Sequence, residues 1–184
     1  MPRTSPARKR FFVLGALLAL LVAATLPGGA NDIGERQLKA EMIVRMLRLV
    51  SWTTPAAAGT PLSLTVVGDP GLADALRDAS NGQRIDGRGM VVSHVPTLAH
   101  LPTPPPDVVV LAATQRASAH ALARALDQKS VLTIGEGEGM GRAGLVIGVY
   151  VDGDRIRFDA NTGAASRAGL SLSSHLLRLA RIVG

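Results

Sequence analysis

The sequence predicts a single α/β domain: a mixed sheet of roughly six strands flanked by helices, extended by a C-terminal antiparallel hairpin and a closing helix. Three observations predict it. Strand-like runs alternate with segments of helical periodicity from Leu62 to Ile134, the pattern of a layered α/β domain. Asp107 to Ala113 (DVVVLAA) is a short continuous apolar run, as in strands buried on both faces of a parallel sheet. Asp152-Gly153 stands between Val149-Tyr150-Val151 and Arg155-Ile156-Arg157-Phe158, and an Asp-Gly pair between apolar-rich runs signals a tight hairpin turn. Local pattern carries no strand order.

The elements follow in chain order. Residues 1–30 read as a signal peptide: Arg3, Arg8, Lys9 and Arg10 precede an unbroken apolar run from Phe11 to Leu26, and Pro27-Gly28-Gly29-Ala30 supplies small residues for cleavage. The run falls short of the roughly 20 residues of a spanning helix. Cleavage and retention as an anchor both stay open, and the absence of an Arg-Arg pair favours an ordinary secretory signal over a twin-arginine one. The exported domain is residues 31–184. Its first helix, Glu35 to Ser51, carries the stripe Leu38, Met42, Ile43, Met46, Leu49 and Val50, with Trp52 packing at its end. After the small-residue linker Thr53 to Pro61 come a strand at Leu62–Val67, a turn at Gly68–Gly71 and a helix marked by Leu72, Ala75, Leu76 and Ala79. Gly89–Val95 is the next strand, and the proline-rich stretch Pro96–Pro106 is a stiff connection. Helix Gln115–Gln128, strand Ser130–Ile134 and a glycine-rich βα connection at Gly135–Gly141 precede the hairpin. Ser173 or Ser174 caps a closing helix with Leu176, Leu179, Ala180 and Val183 inward.

Composition removes several function classes. The formal net charge is +6, but four of the twenty basic residues lie in the leader, leaving sixteen against fourteen acidic ones; bulk charge gives no ground for nucleic-acid binding. The chain has no cysteine, hence no disulfide framework, thiol nucleophile or zinc-thiolate site. The four histidines lack metal-site spacing, so no metal and no cofactor are expected. Gly135 to Gly141 fails as a phosphate loop: Met140 stands where the sixth-position glycine belongs, no Lys-Ser/Thr follows, and Glu136 and Glu138 would repel phosphate. Ser174 beside His175 is not a nucleophile–base pair by adjacency, and no Gly-x-Ser-x-Gly turn occurs. The chain reads as a non-enzyme.

Four stretches occur together in order: Lys39-Ala40 leading to Arg48-Leu49-Val50-Ser51-Trp52; Leu64 to Asp69; Val131-Leu132-Thr133-Ile134-Gly135; and Arg155 to Asn161 leading into Ala168-Gly169-Leu170, Ser173-Ser174 and Leu176 to Ile182. In this arrangement the chain resembles the YfiR family of exported proteins, most specifically through the last stretch. The resemblance implies a small periplasmic α/β protein, often a homodimer, that represses an inner-membrane diguanylate cyclase by binding its periplasmic sensor region. Release raises cyclic di-GMP and favours biofilm growth, and an outer-membrane OmpA-like lipoprotein can sequester the repressor. Two departures stand out. The cysteine pairs common in the family are absent, and first-helix positions that are often aromatic hold Met42, Met46 and Leu49.

The expected contact surface is the polar side of the last strand, Arg155, Arg157 and Asn161, with Trp52 nearby. Guanidiniums aligned on a strand that otherwise packs a core motivate it. The alternative from another class is a periplasmic small-molecule-binding module reporting to another sensor, such as a histidine kinase.

Overall fold

A computed structural model describes residues 29–184 apart from Pro55, Ala58 and Asp154. The signal-peptide reading of residues 1–30 falls almost wholly outside the described residues. Helix α1 (Gly29–Leu47) is followed by strand β1 (Val50–Trp52), β2 (Leu62–Val67), α2 (Pro70–Ser80), β3 (Arg84–Ile85), β4 (Arg88–Val95), β5 (Val108–Leu111), α3 (Ala119–Ala125), β6 (Leu132–Glu136), β7 (Ile147–Asp152), β8 (Arg155–Asn161), α4 (Thr162–Arg167), β9 (Leu170–Leu172), α5 (Ser174–Leu179) and β10 (Arg181–Val183). The main sheet runs β10-β8-β7-β6-β5-β2-β4-β3, and β1 pairs with β9 in a separate two-stranded ribbon. Strands β7, β6, β5, β2 and β4 are mutually parallel, β8 is antiparallel to β7, and β10 is parallel to β8. The six expected strands are the six central ones, with a short strand added at each edge.

Alternation along the buried strands builds two cores. Leu62, Leu64, Val66, Val108, Val110, Leu132, Ile134, Ile147 and Val149 face α1 and α2, together with Ala40, Ile43, Val44, Leu47, Leu72 and Leu76. Val67, Val109 and Leu111 point the other way, to Ala119 and Leu122 of α3, to Leu126 just after it, and to Met140 and Leu145. The two layers enclose the sheet as a continuous apolar run such as DVVVLAA requires. Among the described residues, no helix is long and apolar enough to cross a membrane.

Several expectations need correcting. Helix α1 ends at Leu47, so Val50 to Trp52 is extended and pairs with β9 rather than ending a helix. Its buried stripe is Ala40, Ile43, Val44, Met46 and Leu47, one step round from the expected one, and Leu38 is 56% exposed. The expected helix from Gln115 is a 3-10 segment as far as Ser118 and α-helical only over α3. The hairpin pairs Asp152 with Arg155, so Asp152 is the last residue of β7 rather than the first of the loop as expected.

The β6–β7 connection holds no helix. It packs instead, because glycines let it lie against the sheet: a Cβ on Gly135 would stand 2.5 Å from Leu145 Cδ1, and one on Gly148 would stand 2.8 Å from the Gly141 nitrogen. The closing helix is only six residues long. Its N-cap is Ser173, which accepts from the Leu176 amide, and the chain then runs out as β10 beside β8.

Candidate functional site

The β7–β8 register builds the first polar surface. Asp152 lies opposite Arg155 and Tyr150 opposite Arg157, so Tyr150, Asp152, Arg155, Arg157 and Asp159 alternate onto one face. Arg157 Nε reaches Asp152 Oδ2 at 2.7 Å. Arg155 is exposed and makes no ion pair among the described residues.

Strand β10 adds Arg181 to this face. Its guanidinium donates to the fully buried Asp159 twice, Nε to Oδ1 at 2.7 Å and Nη2 to Oδ2 at 3.1 Å. It also lies 5.0 Å from the centre of the Tyr150 ring and donates to Glu138 Oε1 at 3.2 Å. The Asp159 hydrogen bonds chiefly hold Arg181 above its ordinary pKa, against a smaller opposing effect of burial. Burial first, then the Asp159 charge, raise that of the Tyr150 phenol.

The surface continues to the carboxyl ends of the parallel strands. The order β4-β2-β5 places the chain's reversal of direction between β2 and β5, the position where open α/β sheets usually bind ligands. Here the protein fills it with its own side chains. Thr114 Oγ1 donates to the Gly68 carbonyl at 3.1 Å, and Gln115 Cγ stands 2.4 Å from where a Gly68 Cβ would sit.

Helix α1 closes over this end. Lys39 Nζ bridges Glu136 Oε1 at 2.9 Å and Glu35 Oε1 at 2.7 Å, and Glu136 Oε2 accepts from the Ala113 amide at 3.2 Å. Burial pulls the Lys39 pKa down, but the two glutamates outweigh it and the net shift is upward. Arg36 Nε pairs with Asp69 Oδ2 at 3.0 Å while Asp69 Oδ1 caps α2 by accepting from Leu72 N. Burial raises the Asp69 pKa; the Arg36 and backbone hydrogen bonds overcome it, and the net shift is downward. Arg116 Nη2 donates to the Glu138 carbonyl at 2.6 Å and joins this end to the hairpin face.

Of the residues expected from sequence, the structure brings Arg155 and Arg157 together and separates the other two. Asn161 is buried at the far end of β8. Its Nδ2 donates to the Gly141 carbonyl and its Oδ1 accepts from Ala164 N, both at 2.8 Å, so it caps α4 rather than facing the arginine surface. Trp52 lies at that same far end, on the β1–β9 ribbon, where Nε1 donates to the Ser130 carbonyl at 3.1 Å just before β6. It walls two adjoining clefts of about 260 and 360 Å³, which share Trp52, Thr54, Ala56 and Arg88.

Asp159, Arg181, Tyr150 and Glu138 were not singled out from sequence. The signal available was the Arg-Ile-Val alternation after Ala180, which reads equally well as the tail of a helix. Among the described residues no group of three or more His, Asp or Glu is placed to hold a metal ion.

No curated protein matches the chain. Solved structures that share its fold include a conserved domain protein from Vibrio cholerae O1 biovar El Tor strain N16961 and an ABC domain from Streptococcus pneumoniae in complex with L-Trp. The first is 14% identical, with a TM-score of 0.55 over 81% of this chain and 60% of that one. The second is 10% identical, with a TM-score of 0.53 over 79% and 60%. The chain thus spans three fifths of each, and at these identities the likeness concerns the fold. The profile of the YfiR/HmsC-like family matches residues 36–181, from Arg36 within α1 to Arg181 of β10, and the chain belongs to that family.

Proposed function

We propose that this protein is an exported regulator of cyclic di-GMP signalling that represses an inner-membrane diguanylate cyclase by binding its periplasmic sensor region. Membership of the YfiR/HmsC-like family over residues 36–181 carries this reading. The contact surface in the proposal is the hairpin face with Arg155 and Arg157, whose guanidiniums are solvent-facing on a strand anchored by Phe158, Ala160 and the Asp159–Arg181 pair. Repression is then a difference in affinity: binding the inactive cyclase conformation more tightly shifts its population by no more than that difference. A homodimer and sequestration by an outer-membrane OmpA-like lipoprotein complete the proposal.

The test is affinity capture of the tagged mature protein from the periplasm with its membrane partners, alongside cyclic di-GMP in a deletion strain. Capture of a diguanylate cyclase and a rise in cyclic di-GMP on deletion support the proposal. Unchanged cyclic di-GMP, or unchanged repression by a folded Arg155→Glu/Arg157→Glu protein, sinks the function or the surface respectively.

A second reading, a small-molecule-binding module reporting to another sensor, is supported by the Trp52-walled clefts, whose volumes lie near the lower end for ligand sites. Ligand-induced quenching of Trp52, the only tryptophan, would report such binding directly.

A further inference from the structure

The two edges of the main sheet are protected very differently. On one side β10 covers Asp159–Asn161 of β8, and the open remainder carries Arg155 and Arg157. On the other side β3 pairs only with Arg88 and Gly89 of β4, so that among the described residues β2 is the one strand paired with Met90 to Val95. This six-residue segment, MVVSHV, contains no charge, no proline and no glycine, the devices by which edge strands usually avoid pairing.

Its hydrogen-bond phase can be read directly. The Val95 carbonyl faces inward, accepting from Gly68 N at 2.9 Å, and the Val92 carbonyl faces outward, accepting from Arg77 Nε at 3.2 Å. By alternation Met90, Val92 and His94 present their backbone groups to the outside. A guanidinium stands in for one bond of a missing strand. A cleft of about 560 Å³ runs beside this edge between Arg77 and Arg84 and reaches Met90, Val91 and Val92. Val91 is 54% exposed, and His94 Nε2 is buried with no hydrogen-bond partner among the described residues.

We propose that the Met90–Val95 edge of β4 pairs antiparallel with the same edge of a second copy, joining the two sheets across a two-fold axis at Ser93. The inference rests on the homodimer reading above and assigns its surface. Charge selects both the occupant and the edge. Two copies meet here with no charged side chain in either Met90–Val95 segment, whereas pairing through β8 would bring Arg155 and Arg157 against their own copies. The flanks of the β4 edge carry both signs, Arg77 and Arg84 with Asp74 and Asp78, so the surface is electrically self-complementary.

Register follows from the ends of the segment. Centring the axis on Val92 would set Val95 of the second copy opposite Gly89, the place that Arg84 of β3 already occupies. Centring on Ser93 pairs Val92 with His94 in both directions and Val91 with Val95, and the docking strand replaces Arg77 at the Val92 carbonyl.

The experiment is sedimentation equilibrium of the mature protein, repeated for Val91→Lys and for Leu179→Lys as a control at an exposed apolar residue of α5. Oxidation of Ser93→Cys, in a chain otherwise free of cysteine, is run beside it, with circular dichroism of each variant. A dimer that Val91→Lys weakens about tenfold or more, that Leu179→Lys leaves intact and that Ser93→Cys locks covalently is the expected result. A dimer indifferent to Val91→Lys and not locked by Ser93→Cys keeps the homodimer and overturns this edge. A monomer at tens of micromolar overturns both. If Val91→Lys fails to fold, the Ser93→Cys cross-link decides alone.

Discussion

Arg181 grips Asp159 with two hydrogen bonds, 2.7 and 3.1 Å long, although the two residues sit 22 positions apart and Asp159 has no solvent-exposed surface. This contact fastens the last strand to the hairpin and sets the charge of the face on which Arg155 and Arg157 stand. A carboxylate so enclosed depends on its cation, while the cation retains access to water.

The pair is therefore expected to respond asymmetrically. Arg181→Gln strands a buried carboxylate and should lower Tm more than Asp159→Asn, which leaves a neutral amide and a guanidinium free to turn to solvent. The double variant should recover part of the Arg181→Gln loss. Thermal melts of the three proteins check this, and equal single-variant losses would contradict it.

Helix α5 packs through one residue. Leu176 is 1% exposed and Leu179 63% exposed, so Leu176→Ala should cost about 2–5 kcal/mol and Leu179→Ala no more than about 0.5 kcal/mol. Urea titration of both variants gives the comparison.

Strand β6 should not tolerate a methyl group at Gly135, where the β6–β7 connection packs back on it. In Gly135→Ala the new Cβ meets Leu145 Cδ1 at 2.5 Å and Met140 Cγ at 2.8 Å, an overpacking expected to cost about 1–3 kcal/mol. Gly82→Ala, where nothing lies within 4 Å but φ is +68°, tests backbone strain separately from crowding.

Asp69 links stability to acid. Its net shift is below the ordinary value of 3.8, so it binds a proton more readily in the unfolded chain. Its contribution is present in full above that value and disappears as pH falls through the lower folded value. Asp69→Asn should flatten this part of the stability profile below about pH 4. At neutral pH Asp69→Ala, which loses the α2 cap and the Arg36 contact, should cost about 0.5–2 kcal/mol. Denaturation midpoints across this range, for wild type and both variants, measure it.

Much of this was legible in advance because local patterns carried it. The DVVVLAA run, the 62–67 and 89–95 strands and the hairpin announce themselves by β-branched composition and turn residues, and each is a central strand of the sheet. Arg155 and Arg157 were legible as a pair on one face because alternation in a strand is a local property.

What alternation could not tell is which residues of that face meet water. Arg155, Arg157 and Asp159 alternate identically, yet the first two are exposed and Asp159 is fully buried, because β10 reaches only as far as residue 159. Residues 181–183 pattern equally well as a helix tail; the unpaired edge of β8 offered them backbone partners, and hydrogen bonding decided for a strand. Asn161 and Trp52 moved away from the arginines for the same reason. Each is polar or aromatic in sequence, and each is bound to a backbone group remote in the chain, Gly141 or Ser130. The sequence by itself determined the layers, the six central strands and the family resemblance; the tertiary structure decided the short edge strands, which polar groups were consumed internally and which edge was left open, since these depend on neighbours that only folding supplies.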